Sequence, residues 1–275
     1  MKVKIDKVDY HVEMCGNGNP LVLLHGFTGD SSTWTSFCPV WGSHSQLVMP
    51  DIIGHGKTDS PEAIERYRIE RAASDIKHLL DKIGLEQIDL LGYSMGGRLA
   101  LTFAVQFPER VRKLILESAS PGLESQEERL ERQLKDGELA QFIMEQGIAK
   151  FVDYWENIPL FSSLDNLPDT VKEKIRSQRL SNCSKGLANS LLGMGTGSQP
   201  SWWQELNRLT CEALLITGGK DKKFCNIAEQ MQKRIKNSKW MIINGCGHAI
   251  HVEDKEKFGT IISDFLNKGG VSFDS

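Results

Sequence analysis

The segment Gly92-Tyr93-Ser94-Met95-Gly96 constrains this chain more than any other, because it sets one serine on a sharp strand-to-helix turn. Gln87-Ile88-Asp89-Leu90-Leu91 before it reads as a short buried strand. Met95 to Phe107 after it reads as a helix, with Leu99, Ala100, Phe103 and Ala104 on one face and Pro108 closing it. Glycine at both ends of the turn leaves room for backbone to pack where a Cβ would collide. A serine held there stands above a sheet edge at a helix N-terminus, where developing negative charge is favoured. Taken alone, the pentapeptide also fits a glycine-rich turn around a buried serine, so its meaning depends on what else the chain supplies.

The rest of the chain alternates strand and helix. Residues 1–14 read as one or two antiparallel strands, followed by strands at 20–24, 46–49, 111–117, 213–217 and 240–243. Helices are predicted over 63–83, 227–235 and 255–266. Short apolar strands alternating with amphipathic helices predict an α/β fold, a mostly parallel sheet covered on both faces. Residues 122–200 break the alternation: they are polar and helical in pattern (126–144, 147–155 and 170–177) and contain no strand signal. Falling between two strands, they suit a helical cap over the C-terminal strand ends, the edge at which open α/β sheets bind ligands. The expected division is a core of 1–121 and 201–268, a cap of 122–200, and a patternless tail, 269–275, that frays.

Composition narrows the function. The 275 residues suffice for one sizeable domain with an insertion. A net charge of −3 argues against general nucleic-acid binding. No apolar run approaches the length of a membrane span, and residues 1–7 alternate like a strand, without the apolar core of a signal peptide. Six cysteines (Cys15, Cys38, Cys183, Cys211, Cys225, Cys246) form no Cys-x-x-Cys pair, so free thiols in a reducing cytoplasm are expected.

A serine hydroxyl is a weak nucleophile or base at neutral pH and needs a histidine within hydrogen-bond reach. That histidine needs a carboxylate to fix its tautomer and stabilise the imidazolium. Asp221 lies in Thr217-Gly218-Gly219-Lys220-Asp221, and His248 in Gly245-Cys246-Gly247-His248, each just past a predicted strand. Both therefore fall on the sheet edge that carries Ser94. His248 alone would read as a structural loop histidine; in company with Ser94 and Asp221 it reads as the base of a triad. An oxyanion hole needs two backbone N–H groups. Met95, next after the serine, supplies one, and Phe27 in the loop His25-Gly26-Phe27-Thr28-Gly29 is placed to supply the other.

Other chemistries fit less well. His248 with His251, or His25 with His55, lacks a third metal ligand at suitable spacing, so no metal is expected. Cys246 shares the loop of His248 rather than occupying an elbow and reads as a packed thiol. Gly54-His55-Gly56-Lys57-Thr58 lacks the glycine spacing of a phosphate loop and reads as a turn.

Leu24-His25-Gly26-Phe27, Pro50-Asp51-x-x-Gly54-His55-Gly56-x-Thr58, Gly92-x-Ser94-Met95-Gly96-Gly97, Gly219-x-Asp221 and Gly247-His248 together resemble the α/β-hydrolase superfamily. The triad order in that fold is serine, acid, histidine. Three details narrow the resemblance: Arg98 following the elbow, the oxyanion loop continuing Thr28-Gly29-Asp30-Ser31-Ser32-Thr33-Trp34, and the cap entrance Ser120-Pro121-Gly122-Leu123 with Glu127-Glu128-Arg129-x-x-Arg132. This set resembles the 2-succinyl-6-hydroxy-2,4-cyclohexadiene-1-carboxylate synthases of menaquinone biosynthesis. The resemblance implies a carbon–oxygen lyase that eliminates pyruvate from an enolpyruvyl ether, with no cofactor and a small polycarboxylate substrate. Arg98, in the first turn of the elbow helix, and Arg132, on the first cap helix, suit carboxylate recognition. Arg129, amid Glu127, Glu128 and Glu131, reads as a surface ion-pair partner. Tyr93, Trp155 and Phe161 match pocket-wall positions of the family; on sequence alone, core packing serves them equally well. The triad does not itself choose between elimination and hydrolysis. A carboxylesterase, a C–C bond hydrolase and a catalytically silent binding protein of the same fold stand as alternatives, and the chain's oligomeric state is left open.

Overall fold

The computed structural model describes residues 1–267. The tail expected to fray, 269–275, lies outside them, as does residue 268. Among the described residues, eight strands form one sheet: β1 (Lys2–Ile5), β2 (Val8–Cys15), β3 (Asn19–Leu24), β4 (Ser45–Pro50), β5 (Ile88–Tyr93), β6 (Val111–Glu117), β7 (Glu212–Gly218) and β8 (Ser238–Ile243). Their spatial order is β1-β2-β4-β3-β5-β6-β7-β8. β2 runs antiparallel to β1 and β4, and β4 through β8 pair in parallel.

The helices are α1 (Ser32–Thr35), α2 (Cys38–Trp41), α3 (Ile69–Lys82), α4 (Met95–Gln106), α5 (Gln126–Trp155), α6 (Asp169–Leu180), α7 (Ser184–Met194), α8 (Lys222–Gln232), α9 (Ile250–Glu253) and α10 (Lys255–Asn267). The central strands are mostly apolar because both faces are covered, with Asp89 of β5 and Lys113 and Glu117 of β6 as buried charged exceptions. Val22 and Leu24 of β3 join the core shared with α3 and α4, while Leu21 and Leu23 join the core shared with α1, α2 and α10. In α3, Ile69, Ala72, Ala73, Ile76, Leu79 and Leu80 are buried at helical spacing, together with Asp75, which accepts from Tyr10 Oη and Arg66 Nη2.

Four expectations need correction. The helix predicted over 63–83 begins only at Ile69, after a 3₁₀ turn at Ile64–Tyr67, because Arg68 has extended backbone (ψ 136°). α8 starts at Lys222 rather than 227, since the Asp221 side chain caps it by accepting from Phe224 N–H at 3.3 Å. α7 was not predicted: its glycines weaken a helix signal, yet Gly186 sits where any Cβ would strike the Gly54 carbonyl. Cys15 and Cys38 are not free thiols. The end of β2 lies beside the start of α2, with Cα atoms 6.1 Å apart, and the two sulfurs are bonded. Cys183, Cys211, Cys225 and Cys246 are free. The bond removes part of the thiol argument for a reducing compartment.

Between β6 and β7 the chain leaves the sheet for α5, α6 and α7. Gly147 (φ 78°) breaks α5 where the sequence pattern pauses. Ala140, Ile143, Phe151 and Val152 of α5 pack on Leu187, Ala188 and Leu191 of α7 in a separate small core. Among the described residues, no helix is long and apolar enough to cross a membrane.

Candidate active site

β5 delivers Ser94 to the sheet edge, and α4 begins with the next residue. Ser94 has φ 51°, a left-handed conformation that a side chain adopts at a cost and that recurs at functional turns. The close packing behind it explains the flanking glycines: a Cβ on Gly96 would strike the carbonyls of Leu24 and His25. The Ser94 amide is tied to the last residue of β6, Glu117, whose carbonyl accepts it at 2.9 Å.

β7 and β8 bring the partners. His248 Nε2 lies 3.0 Å from Ser94 Oγ, and His248 Nδ1 lies 2.7 Å from Asp221 Oδ2. In that arrangement Nδ1–H donates to the carboxylate and Nε2 is the lone pair facing the hydroxyl, the tautomer a general base requires. His248 is buried, so its imidazolium, once formed, depends on Asp221 rather than water.

Two further carboxylates hold the histidine loop. Glu253 accepts from the amides on either side of His248, Gly247 N–H at 2.7 Å and Ala249 N–H at 3.3 Å. Glu117, wholly buried, accepts from the backbone N–H and Nδ1 of His251, each at 3.0 Å. Glu117 thus ties the serine turn through its carbonyl and the histidine loop through its side chain.

A cavity of about 330 Å³ opens onto Ser94 and His248. Phe27, Tyr93, Met95, Arg98, Arg132, Trp155 and Phe161 all line it, while Asp221 stands behind His248 on a neighbouring cleft. Met95 opens α4, so its N–H is one of the helix's unpaired amides; β3 pairs Leu24 with Gly92 of β5, bringing the Phe27 loop alongside the serine turn. Burial pushes the Tyr93 phenol well above its usual range, with Glu117 adding to the effect, so it stays a neutral O–H. Its ring centroid lies 5.5 Å from that of His248.

Arg98, Arg132 and Lys223 carry the positive charge of the cavity, with Glu124 and Glu128 also in its wall. Arg98 Nη1 donates to Met194 O and Gln199 Oε1, both at 2.6 Å. Its Nε and Nη2 take no acceptor among the described residues. Burial pulls this guanidinium down to about 10, with Arg132 adding to the shift and Asp136 opposing it; it remains a cation at neutral pH. Arg132 Nε donates to Asp136 Oδ1 at 2.8 Å.

A family model described as alpha/beta hydrolase fold matches residues 19–255. The chain belongs to the α/β-hydrolase family. It is 48% identical over 246 residues to a Bacillus subtilis protein provisionally named 2-succinyl-6-hydroxy-2,4-cyclohexadiene-1-carboxylate synthase, covering 90% of this chain and 89% of that one. It is 31% identical to the Photorhabdus laumondii protein of the same name without that reservation, over 90% of this chain and 85% of that one. A solved structure titled as MenH from S. aureus superposes with a TM-score of 0.88 at 37% identity, over 94% of this chain and 97% of that one.

For an α/β-hydrolase, the residues read from sequence fall in one place, and some dismissed alternatives find structural employment. His25 accepts from Ile52 N–H at Nε2 (2.9 Å) and meets Gly26 O through Nδ1 (2.8 Å), locking two loops. Burial, followed by the charge of His25, drives His55 down to about 3. Cys246 is buried and its thiol is pushed up to about 11, by burial first and then by Glu253 and Asp254. Arg129 donates to the carbonyls of Leu123 and Glu124.

Besides Glu117 and Glu253, sequence reasoning missed Arg179 and Ser118. Arg179 of α6 is 6% exposed, makes no ion pair among the described residues, and lies over the Phe161 ring at 4.8 Å. It lines a second cavity of about 410 Å³ that shares Phe27, Tyr93 and Phe161 with the first. Nothing in its surroundings in sequence separates it from the exposed charges of a polar helix. Ser118, at φ 47°, lines the first cavity with a buried hydroxyl that has no hydrogen-bond partner among the described residues. Its position one residue past a strand, on the edge carrying Ser94, was the available signal.

Proposed function

We propose that this chain is a lyase of menaquinone biosynthesis. It eliminates pyruvate from 2-succinyl-5-enolpyruvyl-6-hydroxy-3-cyclohexene-1-carboxylate to give 2-succinyl-6-hydroxy-2,4-cyclohexadiene-1-carboxylate. The observation that carries this reading is a serine–histidine–aspartate relay opening into the same cavity as Arg98 and Arg132. An ester hydrolase for neutral substrates has no use for two arginines there; a substrate bearing several carboxylates does. The resemblance to proteins named as this synthase supports the same choice. A small polycarboxylate substrate and a cytoplasmic site of action belong to this reading.

In the proposed mechanism, His248, oriented by Asp221, takes the Ser94 proton, and Ser94 Oγ removes a ring proton from the substrate. The electron pair left on carbon becomes a ring double bond as the carbon–oxygen bond of the enolpyruvyl ether breaks. The leaving enolate takes a proton and becomes pyruvate, so no water is consumed. The N–H groups of Phe27 and Met95 stabilise the oxyanion that develops on the conjugated system. Arg98, Arg132 and Arg179 hold carboxylates, and Tyr93, Trp155 and Phe161 wall the ring. Residues 122–200 act as the cap, and residues 1–121 with 201–268 as the core.

The test is incubation of purified protein with the enolpyruvyl precursor, following pyruvate by a coupled reduction beside Ser94→Ala. Rapid release that Ser94→Ala abolishes supports the lyase. No release, with an ester turned over instead, would replace it with a serine hydrolase.

A further inference from the structure

The C-terminal end of α6 meets the core at the loop that carries Phe27. Gln178 Nε2 donates to Asp30 Oδ1 at 2.6 Å, Ser32 Oγ at 2.9 Å and Thr33 Oγ1 at 3.0 Å. One turn later Asn182, 6% exposed, donates from Nδ2 to Thr28 O at 2.9 Å. Its Oδ1 accepts from Gly56 N–H at 3.1 Å, joining the loop to the turn after β4. Both amides come from the segment inserted between β6 and β7, and both grip residues 28–33.

The grip falls where the backbone needs it. Thr28 follows Phe27 directly and has φ 69°, in the left-handed region that a β-branched residue adopts only when its surroundings hold it there. The core's own restraints nearby are Gly29 N–H to Gly26 O at 3.0 Å and Ser31 N–H to Asp51 Oδ1 at 2.6 Å. These bracket Thr28 without touching its carbonyl. Asn182 supplies that contact, and turning the Thr28 peptide would move the backbone next to Phe27.

We propose that Gln178 and Asn182 are positioning residues that set the oxyanion loop from the cap, so that the Phe27 amide is correctly aimed only while α6 is seated. This rests on Phe27 serving as an oxyanion donor, part of the reading above. An oxyanion donor is worth roughly two to three powers of ten in rate, and a misplacement of about 1 Å forfeits on the order of a hundredfold. The effect belongs in kcat, because oxyanion contacts form as charge develops, not on substrate binding.

Asn182→Asp and Gln178→Glu keep size while removing the donors, setting a carboxylate against the Thr28 carbonyl and against Asp30. Three quantities are measured: kcat and KM for pyruvate release, the second-order rate of Ser94 labelling by a fluorophosphonate, and backbone hydrogen exchange over residues 26–33. The expected result is a fall of roughly 10- to 100-fold in both kcat and labelling, with KM within about threefold of wild type and faster exchange over 26–33. Folded variants whose kcat and labelling stay within twofold of wild type would overturn the proposal. If the charged variants do not fold, Asn182→Ala and Gln178→Met are judged by the same criterion. Wild-type protein that labels at Ser94 but releases no pyruvate would overturn the lyase reading alone, and the labelling comparison would still decide the loop's control.

Discussion

Replacing Arg98 by alanine separates the two chemistries that a serine triad allows. The guanidinium spans from the elbow helix to Met194 O and Gln199 Oε1, with Nε and Nη2 left for a ligand. Two consequences follow and can be measured apart. Removing the two bonds strands two acceptors in a half-buried place, which costs about 1–3 kcal/mol of stability, read as a lower urea midpoint at unchanged slope. Removing the cation forfeits a charge-assisted bond to a substrate carboxylate worth about 1.5–3 kcal/mol, which is roughly 10- to 150-fold in kcat/KM for pyruvate release. A small neutral fluorophosphonate needs the triad and oxyanion amides but no arginine, so Ser94 labelling should stay within about threefold of wild type. Arg98→Lys should fall between, because an ammonium keeps the charge but not the fork that reaches the cap and a carboxylate together. Equal losses in pyruvate release and labelling would refute the carboxylate role and leave Arg98 a structural strut.

Three further perturbations test the framework. The Cys15–Cys38 bond closes a separation of 23 residues, so Cys15→Ser/Cys38→Ser should lose about 3 kcal/mol in urea unfolding, while pyruvate release from the folded protein is retained; a loss below about 0.5 kcal/mol would count against the bond. His55, held near 3 in the folded protein against 6.5, leaves the unfolded chain binding the extra proton as pH falls below 6.5, so its contribution to stability declines from there down to about 3. Between pH 7 and pH 5 that is about 2 kcal/mol, and His55→Asn should show correspondingly less acid destabilisation in urea titrations at the two pH values; identical losses in both proteins would dismiss the assignment. Glu117→Gln weakens the tie to His251 without changing the cavity wall, and should lower kcat about tenfold with KM unchanged, as charged hydrogen bonds of this kind contribute about 1.5–3 kcal/mol; a change confined to KM would exclude this positioning role.

The sheet was readable because its strands are buried on both faces and its elbow is sterically narrow. Leu21 to Leu24 are buried on both faces of their strand, and at Gly92 and Gly96 a Cβ would strike neighbouring backbone, so the run and the glycines are both signals of this geometry. Ser94, Asp221 and His248 follow from the same fact: each stands at or just past the end of a parallel strand, and parallel strands end on one edge, so order along the chain becomes proximity in space. Asp221 could even have corrected the start of α8, since an aspartate followed by a polar helix is a capping signal. Cys15 and Cys38 were not readable in this way. Their pairing depends on α2 folding back beside β2, which spacing in the sequence does not encode.

The inserted helices mark where sequence reading loses its grip, and the reason is physical. Strand residues are committed by pleat and register, whereas a polar helix presents every side chain to something, and only packing decides to what. Glu173, Arg176 and Arg179 share one helix; Arg176 pairs with Asp153 and Glu156 at the surface, and Arg179 is buried over Phe161. Gln178 and Asn182 look like ordinary helix-end amides until α6 is docked, when they become the donors nearest the oxyanion loop. The proposed triad is thus a property of the sheet, whereas Arg132 and the amides of Gln178 and Asn182 are properties of how this insertion packs, and Arg98 reaches from α4 of the core to the insertion. On the proposed reading, choice of substrate resides in the inserted helices together with Arg98 of α4. Substitutions at Arg98 and Arg132 should change which molecule is processed, while substitutions at the strand ends, or at Gln178 and Asn182, should change how fast any is.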